Sequence, residues 1–156
     1  MMKRVFIWMA AMLLAASAKA EIIPASGMGQ IGYEAVVLCE ELTIRSGTST
    51  SSSAVGRLRY GDVFACQQVL KDGWCDCFLS DAEGTGSAGW VLSDYVLIDP
   101  SYYLTEKSTP VYAWNGPAAK KVALLGAGEK LPILREEGDW LLISLRGAVG
   151  WVRKNP

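Results

Sequence analysis

Short stretches of alternating apolar and polar residues run along the chain from about residue 35 onward, and this pattern predicts β-strands. In the clearest stretch, Leu42 and Ile44 alternate with polar neighbours, as a half-buried strand requires, and Ser46-Gly47 then ends it. We interpret Val55–Asp62 as a strand that ends in a glycine turn, and Lys71–Trp74 as a hairpin turn into another strand. After residue 20, no stretch longer than one turn has a convincing helical period. The pattern therefore predicts a nearly all-β protein.

The pattern of strands and turns occurs twice. Alignment of 55–62 with 122–129 matches Val55 with Val122, Leu58 with Leu125, Gly61 with Gly128 and Asp62 with Glu129. Further along, Asp72–Trp74 falls near Gly138–Trp140, and Ala88–Val91 falls on Val149–Val152. Leu42–Gly47 matches Val111–Gly116 more loosely, and this alignment puts Trp114 in the place of Arg45. Two copies are too few for a solenoid, so we expect two domains of about 60 residues each.

The first 20 residues have the composition of a cleaved secretory signal peptide. Lys3 and Arg4 give a positive start, residues 5–16 are apolar, and residues 18–20 form a small-x-small cleavage site. A membrane-spanning helix is the alternative, but it needs about 20 apolar residues and Lys19 ends this stretch too early. We expect an exported chain, periplasmic or extracellular, with no stable membrane anchor. Its predicted divisions are a signal peptide at 1–20, an N-terminal arm at 21–34, and domains at 35–99 and 100–156.

The order of these features resembles that of the bacterial SH3-like (SH3b) domain, a small β-barrel found in exported cell-envelope proteins. The features that carry the resemblance are the Leu42–Gly47 strand, a serine-rich loop, the Val55–Asp62 strand, the turn before Trp74, and Gly89-Trp90-Val91. The resemblance covers most of residues 35–98 and, more weakly, 102–156. It implies an all-β fold class with two small SH3-like β-barrels in tandem after the signal peptide.

Charge and composition exclude several classes of function. Removal of residues 1–20 takes away three basic residues and no acid, which leaves 12 Lys and Arg against 16 Asp and Glu. The resulting net charge of −4 argues against nucleic acid as a partner. The chain contains no His, which excludes Ser-His-Asp and Cys-His nucleophilic schemes and every histidine-containing zinc site. We therefore expect no enzyme and no cofactor, with a hydrolase that uses only carboxylates as the minor alternative.

All four cysteines lie in the first copy: Cys39, Cys66, Cys75 and Cys77. Export to an oxidising compartment favours disulfides. If residues 70–73 form the hairpin turn, Cys66 faces Cys77, and we expect the pairs Cys66–Cys77 and Cys39–Cys75. A slip of one residue in register would undo this pairing. The alternatives are a four-thiolate zinc site and a redox pair, but the spacing lacks two Cys-x2-4-Cys knuckles, so no metal is expected.

The family resemblance also implies a ligand surface, because SH3-like grooves present aromatic rings between their loops. The candidate ligand-binding residues are Tyr60, Trp90 and Tyr95, with Arg45 as a candidate clamp for a carboxylate. The alternative interpretation is that the tryptophans seal the core and that Arg45 braces its own loop.

The resemblance to this family, together with the export signal and these residues, implies a binding or targeting role. We expect a non-catalytic module of the cell envelope that recognises peptidoglycan peptide or an exported protein. The alternative is a structural or regulatory subunit that makes protein–protein contacts and has no cell-wall ligand. Fold alone does not decide between them.

Overall fold

A computed structural model describes residues 32–79 and 87–155 of the chain. The predicted signal peptide at 1–20, and all but the last three residues of the predicted arm at 21–34, lie outside the described residues. The chain divides into two compact units on either side of the bond between Pro100 and Ser101. Within the described ranges, no helix is long and apolar enough to cross a membrane.

The first unit, up to Pro100, is an antiparallel sheet with one turn of 3-10 helix at Ser93–Tyr95. Its strands are β1 (Tyr33–Val37), β2 (Glu41–Arg45), β3 (Ala54–Arg59), β4 (Val63–Cys66), β5 (Trp74–Leu79), β6 (Ser87–Leu92) and β7 (Val96–Ile98). Their order in the sheet is β3-β2-β6-β5-β4-β1-β7. Strand β1 begins two residues before the predicted start of the domain, because Tyr33 already pairs with Cys66 of β4.

The second unit, from Ser101 onward, is a second antiparallel sheet. Its strands are β8 (Tyr102–Leu104), β9 (Thr109–Tyr112), β10 (Lys121–Leu125), β11 (Lys130–Glu137), β12 (Trp140–Leu145) and β13 (Ala148–Arg153). Their order is β10-β9-β13-β12-β11-β8. This is the order of the first sheet with each strand replaced by its counterpart in sequence. Among the described residues, only β7 has no counterpart in the second unit.

The prediction of an all-β protein is confirmed, and no closed barrel is found among the described residues. In the first sheet, β3 and β7 are the two edge strands and do not pair with each other; in the second, β10 and β8 are the edges. A barrel would require those edges to meet in a continuous ladder. Each unit is therefore an open sheet, in which β2 with β6 and β9 with β13 each share a single register pair.

The alternation of the clearest predicted strand is confirmed. Leu42 and Ile44 of β2 are buried, whereas Thr43 and Arg45 between and after them are partly exposed. The core of the first unit contains three cysteines among its buried residues: Ala35, Val37, Leu42, Ile44, Leu58, Phe64, Cys66, Val69, Cys75, Cys77 and Val91. The core of the second unit is wholly aliphatic: Val111, Leu125, Leu131, Leu141, Ile143 and Val152.

The turn after β3 and the turn after β10 are built in the same way. Gly61 and Gly128, which the sequence alignment pairs, have φ angles of 84° and 83°. This left-handed conformation favours glycine because it has no Cβ. The acid that follows each turn accepts a hydrogen bond from the backbone N–H three residues before it, Asp62 at 2.7 Å and Glu129 at 2.7 Å. The aligned acids therefore serve a structural purpose in both units.

Candidate functional site

Two of the four predicted binding residues lie side by side in the first unit. Arg45 of β2 and Trp90 of β6 are register partners, so their side chains share one face of the sheet. The Nη1 of Arg45 donates a hydrogen bond of 2.9 Å to the carbonyl oxygen of Ser52, in the loop between β2 and β3. Arg45 therefore braces its own loop, which is the structural alternative to a clamp for a ligand carboxylate.

The other two predicted residues lie at a different place, beside the end of β1. Tyr60 directly precedes Gly61, whose N–H donates to the carbonyl of Val37 at 2.9 Å. The carbonyl of Tyr95 accepts the N–H of Leu38 at 2.9 Å. Tyr60 follows the end of β3 that pairs with the start of β2, whereas Arg45 stands at the other end of β2, about 13 Å along the strand. The sequence therefore found two pairs of residues, and a binding role for either pair stays a prediction.

The register of the strands corrects the predicted counterpart of Arg45. Arg45 pairs with Ala54 across the β2–β3 hairpin, and Tyr112 pairs with Lys121 across the β9–β10 hairpin. Both residues of the second pair lie 67 positions after those of the first. Tyr112, and not Trp114, therefore occupies the place of Arg45. The sequence alignment failed here because it matched Ser-Gly with Asn-Gly and so shifted the strand by two residues.

A cleft in the second unit lies at this same place and combines cationic, aromatic and apolar groups. Its volume is about 190 Å³, and it is lined by Lys107, Ser108, Pro110, Tyr112 and Arg153. The Tyr112 ring meets the Trp140 ring edge to face, with centroids 5.3 Å apart and an angle of 90° between the planes. On β13, Arg153 is the register partner of Trp140, and its guanidinium lies 4.7 Å from the centroid of that ring.

This stack gives the cleft a defined chemistry. A guanidinium held over a tryptophan face keeps its plane oriented while its edge N–H groups remain directed outward. Lys107 adds a second cation to the wall, and Pro110 and Tyr112 provide apolar surface. Two cations beside an apolar wall suit a ligand that has a carboxylate next to an apolar group.

The sequence analysis missed Lys107, Tyr112 and Arg153. A signal for Arg153 was present, since it follows the Gly150–Val152 segment by one residue. Arg153 and Trp151 are two residues apart on β13, so they lie on the same face of the sheet. Arg153 pairs with Trp140, the first residue of β12. The register that links Arg153, Trp140 and Tyr112 across three strands is what the sequence alone did not supply.

The cysteines lie around a β-bulge between β4 and β5. Ala65 pairs with Phe78, but Val69 pairs with Cys75, so two residues of the first strand, Cys66 and Gln67, oppose Cys77 alone. The buried carboxylate of Asp76 closes this bulge. Its Oδ1 accepts the N–H groups of Gln67 and Gln68 at 2.7 and 3.0 Å.

The thiols beside the bulge have raised pKa values. The Cys75 thiol shares a hydrogen bond with the Cys66 thiol, and this contact, followed by burial, raises the pKa of Cys75 far above its ordinary value. Burial raises the pKa of Cys77 to about 12, and the neighbouring Cys66 adds to this rise. The Cys39 thiol instead donates to the carbonyl of Glu41 at 3.4 Å, and burial raises its pKa.

All four cysteines are thiols in the structure, so the predicted disulfides stay a prediction. Because Ala65 pairs with Phe78, Cys66 lies opposite Cys77 as the sequence predicted, and the register shifts only between Cys66 and Val69. Among the described residues, no three His, Cys, Asp or Glu side chains are grouped as a metal site would require.

Comparison with known proteins gives distant structural neighbours. No family model matches the chain, and no curated protein matches it. Two solved structures from Trichomonas vaginalis are similar to it. NlpC2 has 10% sequence identity and a TM-score of 0.35, covering 79% of this chain and 46% of that one. NlpC1 has 12% identity and a TM-score of 0.38, covering 85% of this chain and 48% of that one.

The prediction that the chain is not an enzyme is contradicted by these neighbours. They are NlpC/P60 proteins, a family generally of peptidoglycan hydrolases. The prediction rested on the absence of His and on the position of the acidic residues in turns, and both are features of this chain alone. The chain spans less than half the length of either neighbour. At these TM-scores, the likeness assigns neither a reaction nor a catalytic residue to this chain.

Proposed function

We propose that this chain is an exported binding module of the cell envelope, built from two SH3-like domains, and that its ligand site is the cleft of the second unit. The observation that carries the proposal is the pair of cations, Lys107 and Arg153, on the wall of a cleft whose remaining surface includes Pro110 and Tyr112. The export signal and the order of sequence features that resembles the SH3-like family support the envelope as its location.

The ligand that fits this wall is a short peptide with a free terminal carboxylate. The guanidinium of Arg153 offers two parallel N–H donors to a carboxylate, and its stacking on Trp140 reduces the side-chain entropy lost on binding. A small apolar side chain next to that carboxylate would pack on Pro110 and Tyr112. The stem peptides of peptidoglycan carry this combination, and they are the wall ligand proposed here.

The first test is retention on purified peptidoglycan, with the full chain and single variants of matched thermal stability. Arg153→Met and Lys107→Met should each weaken retention by about ten- to a hundredfold, since a hydrogen bond to a charged group contributes about 1.5–3 kcal/mol. Lys154→Met is the matched control, because that lysine carries the same charge and follows Arg153 directly, but does not line the cleft. A short peptide should compete with the wall, and its C-terminal amide should not.

The same assay separates the cleft from the surface predicted in the first unit. If Tyr60→Ala and Tyr95→Ala weaken retention while the two cation variants do not, the ligand binds the first unit. Retention equal to the parent in all four variants would show that neither surface binds the wall, and no retention of the parent would show that the wall is not the ligand.

A protein partner is the second candidate, and the edge of the second sheet favours it. Val122 and Leu124 lie on the edge strand β10 and are 55% and 63% exposed. An edge strand with apolar side chains is a surface on which another chain can add a strand. Val122→Lys combined with Leu124→Lys should abolish capture of a protein from an envelope extract without changing retention on purified wall.

A further inference from the structure

The loop between β2 and β3 and the loop between β9 and β10 are built on the same backbone frame. They are equal in length and span residues 46–53 and 113–120. Two backbone hydrogen bonds close each loop, and those of the second loop join residues 67 positions after those of the first. The N–H donors and their carbonyl acceptors are Ser46 to Ser53 at 2.9 Å, Ser52 to Ser49 at 3.0 Å, Ala113 to Lys120 at 2.9 Å and Ala119 to Gly116 at 3.2 Å. The two loops can therefore be compared residue by residue.

The side chains on this common frame are different. The first loop contains only serine, threonine and glycine, and its carbonyl at Ser52 is bonded to Arg45. In the second loop, Trp114 takes the place of Gly47, and the tryptophan is 47% exposed. The indole is not one of the side chains that form the core of the second unit. The second unit therefore displays a ring at its surface where the first unit has no side chain.

Trp114 lies beside the ring pair, Tyr112 and Trp140, that supports the cleft. Two residues before Trp114, Tyr112 meets the Trp140 ring edge to face. One residue after it, the Nδ2 of Asn115 donates a hydrogen bond of 2.6 Å to the Oε2 of Glu137. Glu137 of β11 is the register partner of Trp140. The chain is thus attached to the same ring pair on both sides of Trp114, which keeps the indole next to the cleft.

The cleft itself has room for the end of a ligand only. Its volume of about 190 Å³ is smaller than the roughly 300–1,000 Å³ of typical small-molecule sites. A carboxylate and one small side chain fill such a space, so the remainder of a longer peptide lies outside it. Tyr112 and Trp114 are two residues apart, hence at most about 7 Å along the backbone. An extended peptide whose last residue packs on Tyr112 therefore reaches Trp114 with the third residue from its end.

From this placement, we propose that Trp114 binds the part of the peptide that leaves the cleft and makes the protein favour peptides of at least three residues over dipeptides. The preference rests on the function proposed above, since it requires the terminal carboxylate to lie in the cleft. An indole suits this role because it provides a large flat contact at a low cost in side-chain entropy. The hydrogen bonds that close the loop further reduce the entropy lost when the ligand binds.

Titration of the full chain with alanine peptides of two, three and four residues, in both the L and the D series, tests the preference. Nuclear magnetic resonance follows the indole N–H signals, and that of Trp114 is identified by its loss in Trp114→Ala. In the series that binds more tightly, the tripeptide should bind the parent about fivefold more tightly than the dipeptide, and a fourth residue should add less. The Trp114 signal should shift with the tripeptide and stay in place with the dipeptide.

The variants separate the role of the ring from that of the cleft. Trp114→Ala should lower the affinity for the tripeptide about fivefold and leave that for the dipeptide unchanged, whereas Trp114→Phe should keep part of the difference. Leu104→Ala is the matched control, because that side chain is also apolar and is 59% exposed but lies on the edge strand β8. This control should bind both peptides like the parent.

Two results would overturn the role of Trp114: equal affinity of the parent for the two- and three-residue peptides, or an unchanged length preference in Trp114→Ala. If Arg153→Met still loses dipeptide binding in that case, the cleft remains the site and only the role of Trp114 is wrong. If Arg153→Met binds the dipeptide like the parent, or if the parent binds no peptide, the cleft is not a peptide site and both proposals fail.

Discussion

The two units place different chemistry at the same point of one strand order. The cleft of the second unit is lined by Lys107, Ser108, Pro110, Tyr112 and Arg153. The β9–β10 hairpin lies 67 positions after the β2–β3 hairpin, and Trp151 corresponds to Trp90. The residues of the first unit that correspond to the cleft are therefore Glu40, Glu41, Thr43, Arg45 and Leu92. Two cations in one unit thus correspond to a glutamate and a leucine in the other.

This difference shows that the repeat preserves the fold and not the site. In the first unit, the single cation at this place, Arg45, is bonded to the Ser52 carbonyl, and Glu41 forms an ion pair of 2.9 Å with Arg57. Those contacts hold the β2–β3 hairpin together. In the second unit, the Arg153 guanidinium packs on the face of Trp140. A surface able to receive a carboxylate is therefore expected in the second unit and not in the first.

The cores differ as well, although both contain a bulge at the same step. In the second unit, Ile133 pairs with Ile143, and the register then shifts before Arg135 pairs with Leu142. Cys77 and Asp76 occupy the places of Ile143 and Leu142 in the first unit. One bulge is thus lined by aliphatic side chains and the other by thiols and a carboxylate, which makes the cores separable by mutation.

Truncation of the buried side chain that lies opposite the bulge should cause the largest loss of stability. Ile143 is fully buried, and Ile143→Ala should destabilise the second unit by about 2–5 kcal/mol. Cys77→Ala, at the matched position, should destabilise the first by about 1 kcal/mol, since it removes only a sulfur atom. Hydrogen exchange of the full chain, resolved by peptide, measures both. Equal losses in the two units would contradict the difference between the cores.

An alanine substitution where two strands come closest should lower the free energy of unfolding by somewhat less, and by a similar amount in both units. A Cβ on Gly89 would meet the Ile44 side chain, and one on Gly150 would meet Val111. Each alanine variant should therefore destabilise its own unit by about 1–3 kcal/mol through overpacking. Peptide-resolved exchange again reports each unit separately. A loss confined to one unit would show that β6 and β13 do not approach their neighbours in the same way.

Glycine placement also marks how far the sequence could predict the fold. The alternation of Leu42 with Ile44 and the aligned turn glycines, Gly61 and Gly128, were read correctly because they depend on local periodicity and backbone sterics. The counterpart of Arg45 was predicted wrongly, because it depends on the register of a hairpin. The Ser-Gly and Asn-Gly pairs that were aligned are similar in sequence but do not occupy the same place in the two hairpins. The bulge at Cys66 and the open sheet edges were not predictable, because both arise from pairing between strands distant in sequence.

The buried thiols give the first unit an alkaline sensitivity that the second unit lacks. The folded pKa of Cys77, about 12, lies above the ordinary value of 9.0, so the folded state holds a proton that the unfolded chain releases. The stability that this thiol contributes is complete below pH 9 and is lost between pH 9 and about 12, by up to about 1.4 kcal/mol per pH unit. Urea unfolding of the reduced chain should show this slope, and Cys77→Ala should reduce it, while the part that the raised pKa of Cys75 contributes should remain.

Identical slopes for the parent and for Cys77→Ala would contradict a buried, protonated thiol. Tyrosines and lysines titrate in the same range, so the comparison of the two proteins, and not the slope of either alone, is the measurement that decides.

The smallest expected effect tests the closest structural likeness between the units. Asp62 and Glu129 each accept a backbone hydrogen bond of 2.7 Å across their glycine turn, and both side chains are exposed. Asp62→Ala and Glu129→Ala should each cost about 0.5–1 kcal/mol, in the first and the second unit respectively, because water replaces the lost acceptor. Asp62→Asn and Glu129→Gln keep an acceptor oxygen and should recover part of that loss. If alanine is neutral at one turn and costly at the other, or if the amides recover nothing, the aligned acids stabilise the two turns by different means.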